Sequence, residues 1–304
     1  MLAPVNRDAV LLSCHGTVTD MRDVPAFLSN IRRGRPAPDE LVHEVIRRYE
    51  TIGGSPLMSG SRAQAAALEA RLGVPVRVAG RLWHPYPDEV LRELVSSGAT
   101  RVLSLPLAPQ SVAVYHAAVD EAAPRAGAPA LVHAPAWGLE PALIDAFVET
   151  IDEALGAAGA ASCSPNASPI VLSAHSLPVR VIEQGDSYER DFRAMAEVIA
   201  ERFRSRGHRV EIAFQSQGAS QERWLGPDLA EVFGMLAEAG FDTVVVAPIG
   251  FLAEHIETLY DLDVEAPTIA RNKGLSRFVR AKTVADRPRF VDALEAVARR
   301  ALAG

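Results

Sequence analysis

Residues 244–265 read VVVAPIGFLAEHIETLYDLDVE. Val244, Val245, Val246 and Ala247 form a short apolar, β-branched run stopped by Pro248 and the turn-former Gly250, the pattern of a buried strand. The residues that follow predict a helix. Along it Glu254, Glu257, Asp261 and Glu265 stand at successive offsets of three, four and four, so a continuous α-helix would carry four carboxylates on one face. Exposed like charges at that spacing repel by roughly 0.2–0.5 kcal/mol per pair, and an arbitrary acidic helix most often turns such a face to solvent. The position favours a different use. Open parallel α/β sheets bind ligands beyond the C-terminal ends of their strands, and carboxylates crowded there suit a divalent cation or a proton relay.

Outward from this stretch, strand and helix patterns alternate along the chain. Strands are expected at residues 9–13, 74–79, 101–105 and 131–134, and again at 170–176, 209–214, 243–248 and 278–281. Helical patterning covers 24–49, broken by IRRGRPAP, then 62–72, 88–97 and 290–302. Such alternation predicts an α/β fold with parallel, doubly wound sheets. The second half repeats the first. IVLSAHS at 170–176 echoes VLLSCHG at 10–16, each with a histidine two residues after the strand's serine, and TVVVAP at 243–248 echoes RVLSLP at 101–106. Two similar units are expected, 1–150 and 151–304, joined by the Ala/Gly/Ser/Pro-rich stretch 156–169, with a ligand cleft between them and the final helix free to belong to either.

A chain of 304 residues with 48% hydrophobic content can bury two cores of ordinary size. Its formal charge of -7 argues against a general binder of nucleic acid or anionic membranes. The two cysteines, Cys14 and Cys163, lack metal-type spacing, so no disulfide framework and no cysteine-held zinc or iron–sulfur cluster is expected, and a reducing cytoplasm fits. No stretch reaches the ~20 apolar residues of a transmembrane helix. Phosphate-cradling GxxxxGK[ST], a strand-linked GxGxxG and the GxSxG elbow are all missing from the sequence.

His175, in SAHSLP at a strand end, gains weight from the acidic stretch at the end of another strand of the same unit. Alone, such a histidine is more often structural. Paired with a carboxylate, it suits a first-row divalent metal and can take protons near neutral pH. His15 and His84 end strands of the first unit and are equally open to a structural role. The cluster Arg32, Arg33 and Arg35, with Arg47 and Arg48, is commonly a solvated face but can grip ligand carboxylates through bidentate forks.

SAHSLP at 173–178, GDSY at 185–188, FQSQGASQERWLGPDL at 214–229 and PIGFLAEHIETLYDLDVE at 248–265 resemble, in order and spacing, the successive signatures of the ferrochelatase family; IRRGR, RRYETIGGSPL and RLWHP do the same in the first half. The resemblance spans nearly the whole chain. It implies two Rossmann-like units, each a parallel sheet flanked by helices, with a porphyrin cleft between them, and a reaction that inserts ferrous iron into a porphyrin with release of two protons. Carried over by position, it makes His175 and Glu257 the iron-site pair and proton acceptors. Glu254, Asp261 and Glu265 become an acidic line that passes metal or protons, with a second divalent ion (Mg2+) possible at Asp261 and Glu265; His255 becomes a supporting residue. Fe2+ is then a substrate, and no cofactor is required.

IRRGRPAP resembles the soluble bacterial branch that metallates coproporphyrin III, whose four propionates suit a basic gate. That match implies His15, Arg32, Arg48, Tyr49, Ser55, His84 and Tyr115 as porphyrin contacts. His15 stands where the branch has a tyrosine able to ligate product iron; Gly16, Thr17 and Val18 replace the usual GTP, and the segment near Gln110–Tyr115 is shortened. A cytoplasmic monomer with transient contacts to neighbouring heme-pathway enzymes is expected. Two rival readings stand beside this one. A sirohydrochlorin cobalt or iron chelatase shares the architecture, but WLGP and HIETL disfavour it; a non-catalytic tetrapyrrole or metal binder is disfavoured by the intact His175 and Glu257.

Overall fold

The computed structural model describes residues 7–127, 130–159, 168–218 and 222–304. Residue contacts divide the chain into two units, one that ends at Trp137 and resumes at Ala285–Gly304, the other Gly138–Val284.

The first unit opens with β1 (Asp8–Cys14), whose Ala9, Val10, Leu11 and Leu12 are fully buried. Helices α1 (Val24–Ile31) and α2 (Asp39–Thr51) follow, parted as expected at IRRGRPAP, where Arg33 and Gly34 adopt φ of 57° and 85°. Residues in the left-handed region cannot continue a right-handed helix. Next come α3 (Leu57–Leu72), which starts directly after Pro56 and so earlier than the Arg62 start expected, then β2 (Val76–Gly80) and α4 (Pro87–Ser96). The unit continues with β3 (Arg101–Pro106), α5 (Val112–Ala126) and β4 (Ala130–His133). Its strands run parallel in the order β2-β1-β3-β4, with Val10 opposite Val76 on one side and Leu103 on the other. Central strands covered by helices on both faces must be apolar throughout, hence the continuous AVLL and VLSLP runs.

The second unit comprises α6 (Pro141–Ala157), β5 (Ile170–His175), α7 (Val179–Glu183), α8 (Tyr188–Arg204) and β6 (Val210–Gln215). It goes on through α9 (Leu229–Glu238), β7 (Thr243–Ala247), α10 (Ile256–Leu259), α11 (Ala266–Asn272) and β8 (Arg277–Arg280). Its sheet is again parallel, in the order β6-β5-β7-β8, which is the first sheet's order transposed by four strands. The repeat seen in the sequence is therefore a repeat of topology. Phe192, Phe203, Phe214 and Phe233 fill its core without exposure.

The boundary between units differs from the expected 150/151. That position falls inside α6, whose buried Leu143, Ile144, Phe147 and Ile151 pack it on α8, β7 and β8, so the change of unit comes at Trp137/Gly138. The stretch expected as a linker lies within the span of the second unit, and most of it, 160–167 with Cys163, is outside the described residues. The last helix, α12 (Pro288–Ala303), packs on α3, β3 and β4. Arg71 of α3 pairs with Asp292 and Glu295, and Arg101 Nη2 donates to the Leu302 carbonyl at 2.8 Å.

The acidic helix is the main correction to the local reading. Glu254 precedes any helix; α10 is a single turn, Asp261–Glu265 forms a π-type turn in which both Val264 and Glu265 donate to the Tyr260 carbonyl, and α11 follows. Widening the turn rotates later residues away from an α-helical face, so the four carboxylates do not share one.

Candidate active site

In the second unit the end of β5 carries the histidine. His175 is its last residue and stands opposite Gln215 in the parallel ladder with β6, while Tyr188 of α8 donates its hydroxyl to the His175 carbonyl at 2.9 Å. The chain leaving β7 comes back over this strand end. The Gly250 amide donates to the Ser173 carbonyl at 3.0 Å, and a Cβ on Gly250 would lie 2.8 Å from the Ala174 Cα, so only glycine permits the approach. That return delivers α10. His175 Nδ1 and Glu257 Oε2 then meet at 3.0 Å, with side chains 34% and 30% exposed.

Burial of the imidazole disfavours its charged form, yet the charge and hydrogen bond of Glu257, with the more distant Asp261 carboxylate, outweigh it and hold His175 above its ordinary range. Burial likewise disfavours the Glu257 carboxylate, but His175 and then His255 pull its pKa well below the usual value. His255 Nε2 lies 3.7 Å from the same Oε2, and the His255 ring meets that of Phe251 at 4.9 Å, tilted by 47°. With Nδ1 donating to Glu257, neutral His175 keeps its lone pair on Nε2, which has no hydrogen-bond partner among the described residues. The pair is therefore built to accept a proton at Nε2 and to stabilise the imidazolium that results.

The remaining acidic residues are engaged separately. Both oxygens of Glu254 accept from Arg280 Nη1, at 3.0 and 3.1 Å, and one also accepts the Thr283 amide. Arg280, only 10% exposed, holds Asp263 as well, at 2.6 and 2.8 Å. Glu254 is thus engaged by a guanidinium, where the resemblance implies a place in an acidic line. Asp261 accepts a hydrogen bond from Ser216 Oγ, and Glu265 lies in the π-type turn. Among the described residues no three His, Cys, Asp or Glu side chains come together in a metal-type cluster; of the five residues expected to handle metal, His175 and Glu257 are the two in direct contact.

In the first unit, His15 follows β1, donates from Nδ1 to the Gly16 carbonyl at 3.1 Å and meets Phe27 edge-on at 6.0 Å. Phe27 meets Trp83 at 5.8 Å and Trp83 meets His84 at 5.6 Å, so an aromatic chain joins the two candidate histidines. His84 Nδ1 also pairs with Glu89 at 3.0 Å. Arg32 has no ion pair among the described residues and donates to the Pro36 carbonyl at 3.3 Å, whereas Arg48 is paired with Glu44 at 2.7 Å. Ser55 accepts the Leu57 amide at the start of α3. Tyr49 is buried, 2% exposed, and its hydroxyl shares a 2.8 Å hydrogen bond with Thr17, so its ring belongs to the core, not to a contact surface. Tyr115 is also buried, with the Arg81 guanidinium 5.5 Å from its ring centre. A groove of about 430 Å³ opens nearby between Asn30, Arg81, Tyr86, Glu121 and Arg125.

Several participants have no roles in the sequence reading: Tyr188, Ser173, Gln215, Ser216 and Arg280. Tyr188, Gln215 and Ser216 lie inside motifs the sequence makes conspicuous, GDSY and FQSQG, but their partners are set by register and turn geometry rather than by spacing. Arg280 is hidden at the end of an ordinary β8.

The family model for ferrochelatase matches residues 7–302. A ferrochelatase of Thermus thermophilus is 34% identical, covering 90% of this chain and 93% of its own. A coproporphyrin III ferrochelatase of a Geobacillus species is 31% identical over 95% of this chain and 96% of its own. Among solved structures, SirB from Bacillus subtilis with Fe3+ superposes with a TM-score of 0.63 at 16% identity, covering 97% of this chain and 95% of that one. CbiX, described as the terminal enzyme of siroheme biosynthesis in denitrifying bacteria, gives 0.59 at 17%, with 97% and 99% covered. At those identities the likeness concerns the fold, and it agrees with two units of parallel four-stranded sheet. The match of both family model and relatives along nearly the full length leads to one conclusion: the chain belongs to the ferrochelatase family.

Proposed function

We propose that the protein inserts ferrous iron into a porphyrin of heme biosynthesis and releases two protons, with coproporphyrin III the favoured ring and protoporphyrin IX the alternative. One observation supports this above the rest: His175 and Glu257, 82 positions apart in sequence, meet at 3.0 Å at the end of β5, and each lies in one of the motifs that carry the family resemblance. A free-base macrocycle must give up two pyrrole protons as the metal enters. His175 Nε2 takes the two protons one after the other, releasing each to water before the next, and Glu257 stabilises the imidazolium formed each time. Glu257 is also the carboxylate that meets the incoming ferrous substrate beside the imidazole, a donor pair suited to a first-row divalent ion.

The preference for coproporphyrin is supported by the relatives' names and by Arg32, whose guanidinium is available to a ligand carboxylate. Four propionates offer more partners to such a cation than two. No helix of the described residues is long and apolar enough to cross a membrane; a cytoplasmic monomer that meets neighbouring pathway enzymes transiently is part of this proposal.

Anaerobic mixing of the purified protein with Fe2+ and coproporphyrin III, protoporphyrin IX or sirohydrochlorin, followed by absorbance, tests it. Multiple turnovers with coproporphyrin III are expected. Stoichiometric binding without turnover, or turnover confined to sirohydrochlorin, refutes it.

A further inference from the structure

We propose that Gln215, the last residue of β6, and Ser216, which follows it, are positioning residues that hold the turn carrying Glu257 and Asp261 in place beside the end of β5, so that Glu257 meets His175. The proposal rests on the iron-insertion reading above for its kinetic consequences, though not for its geometry.

Gln215 is 4% exposed, and its side-chain amide bridges two elements. Its Oε1 accepts from Ser173 Oγ at 2.8 Å, and its Nε2 donates to the Glu257 carbonyl at 3.0 Å. Ser173 precedes His175 by two residues on β5, hence on the same face of the strand, and Gln215 stands beside His175 in register. One amide therefore ties the strand that carries the imidazole to the turn that carries its carboxylate. That turn needs an anchor: α10 is four residues long, too short to hold its own shape in water, so its placement comes from contacts of this kind.

The next residue repeats the arrangement. Ser216 adopts φ +59°, a region that non-glycine residues enter at a cost. Glycine would relieve that cost but lacks a hydroxyl. The Ser216 Oγ donates to Asp261 Oδ2, four residues beyond Glu257, so the end of β6 is tied to the same turn a second time. A strained serine kept where glycine fits better is explained by what its hydroxyl holds. None of these roles requires the two residues to touch iron or porphyrin.

Two variants separate positioning from mere support of the fold. Ser216→Gly removes the hydroxyl while easing the backbone, and Gln215→Met keeps the side-chain volume while removing its hydrogen bonds to Ser173, Glu257 and, at 3.5 Å, Ser216. Expected for each is a fall in kcat of about 10- to 100-fold, with the porphyrin KM within about twofold and, for Ser216→Gly, a melting temperature no lower than the parent's. A readout independent of turnover is the hydrogen-bonded Nδ1 proton of His175 in a 15N-histidine-labelled protein, assigned by its loss in His175→Ala. It should be sharp in the parent and shifted or lost to exchange in both variants.

If the parent inserts no iron yet this signal behaves as described, the functional reading falls and the positioning role stands. If the signal and kcat of Ser216→Gly match the parent's, the positioning role falls, whatever the stability of Gln215→Met. A drop in kcat that comes only with a lowered melting temperature and a raised KM also overturns it.

Discussion

Glu257→Gln is the sharpest probe of the proposed centre. The substitution keeps the shape of the side chain and removes its charge. A hydrogen bond to a charged group contributes about 1.5–3 kcal/mol; because His175 and Glu257 remain 34% and 30% exposed, solvent screening places this one near the lower end, at about 1.5 kcal/mol. Its dependence on pH follows from both partners. His175 is raised above its ordinary 6.5, so its share of the stabilisation is complete below that value and is lost as pH rises through the folded-state midpoint. Glu257 is depressed below its ordinary 4.5, so its share is present above that value and is lost only as pH falls through the folded-state midpoint. The variant should therefore lose most stability near pH 6, where both groups are charged, and less at pH 9, as rising pH draws the proton off the imidazole. Urea unfolding at the two pH values measures this, and the His175 ring resonances, followed against pH, should titrate at a lower midpoint in the variant. An equal loss at both pH values, or a midpoint that is unchanged or raised, would refute the pairing.

Three further outcomes are expected. His175→Ala should abolish iron insertion with circular dichroism close to the parent's and a melting temperature lowered only by the few degrees that loss of the Glu257 hydrogen bond implies, because a side chain at a strand end supports little core; full activity or misfolding would contradict its role. Arg32→Ala should weaken binding of the four-carboxylate coproporphyrin by about 1.5–3 kcal/mol and of the two-carboxylate protoporphyrin by less, as read by fluorescence quenching; equal losses would remove the case for the former ring. Arg280→Met should destabilise the second unit by about 3 kcal/mol in chemical unfolding, since it strands Glu254 and Asp263 together; a neutral effect would show that the two carboxylates find water instead.

The strands, their parallel pairing and the internal repeat were legible because buried parallel strands demand unbroken apolar runs, as in residues 9–12 and 244–247. Helix starts at proline were less so: α3 begins right after Pro56, where a turn of small polar residues looks like loop. The pairing of His175 with Glu257 was reachable through motif resemblance, but the geometry behind it was not. A π-type turn leaves no mark in residue spacing, so counting by threes and fours put Glu254, Glu257, Asp261 and Glu265 on one face that the backbone does not form. The partner of Glu254 was equally hidden: Arg280 lies 26 residues further on, and no local pattern announces an ion pair between a loop and a β8 side chain. Tyr49 similarly looked like a ligand contact in the sequence and proves to be sealed by Thr17.

The seating of α12 on α3, β3 and β4 has a consequence for biosynthesis. The middle of the polypeptide, Gly138–Val284, is contiguous and can collapse as soon as it leaves the ribosome. The opening half must wait, with Phe290, Val291, Leu294 and Val297 still to be translated before its apolar flank is covered. A released chain cut before that last helix would thus expose grease on its oldest part while the second unit, complete in sequence, can still close, and chaperones should recognise the former.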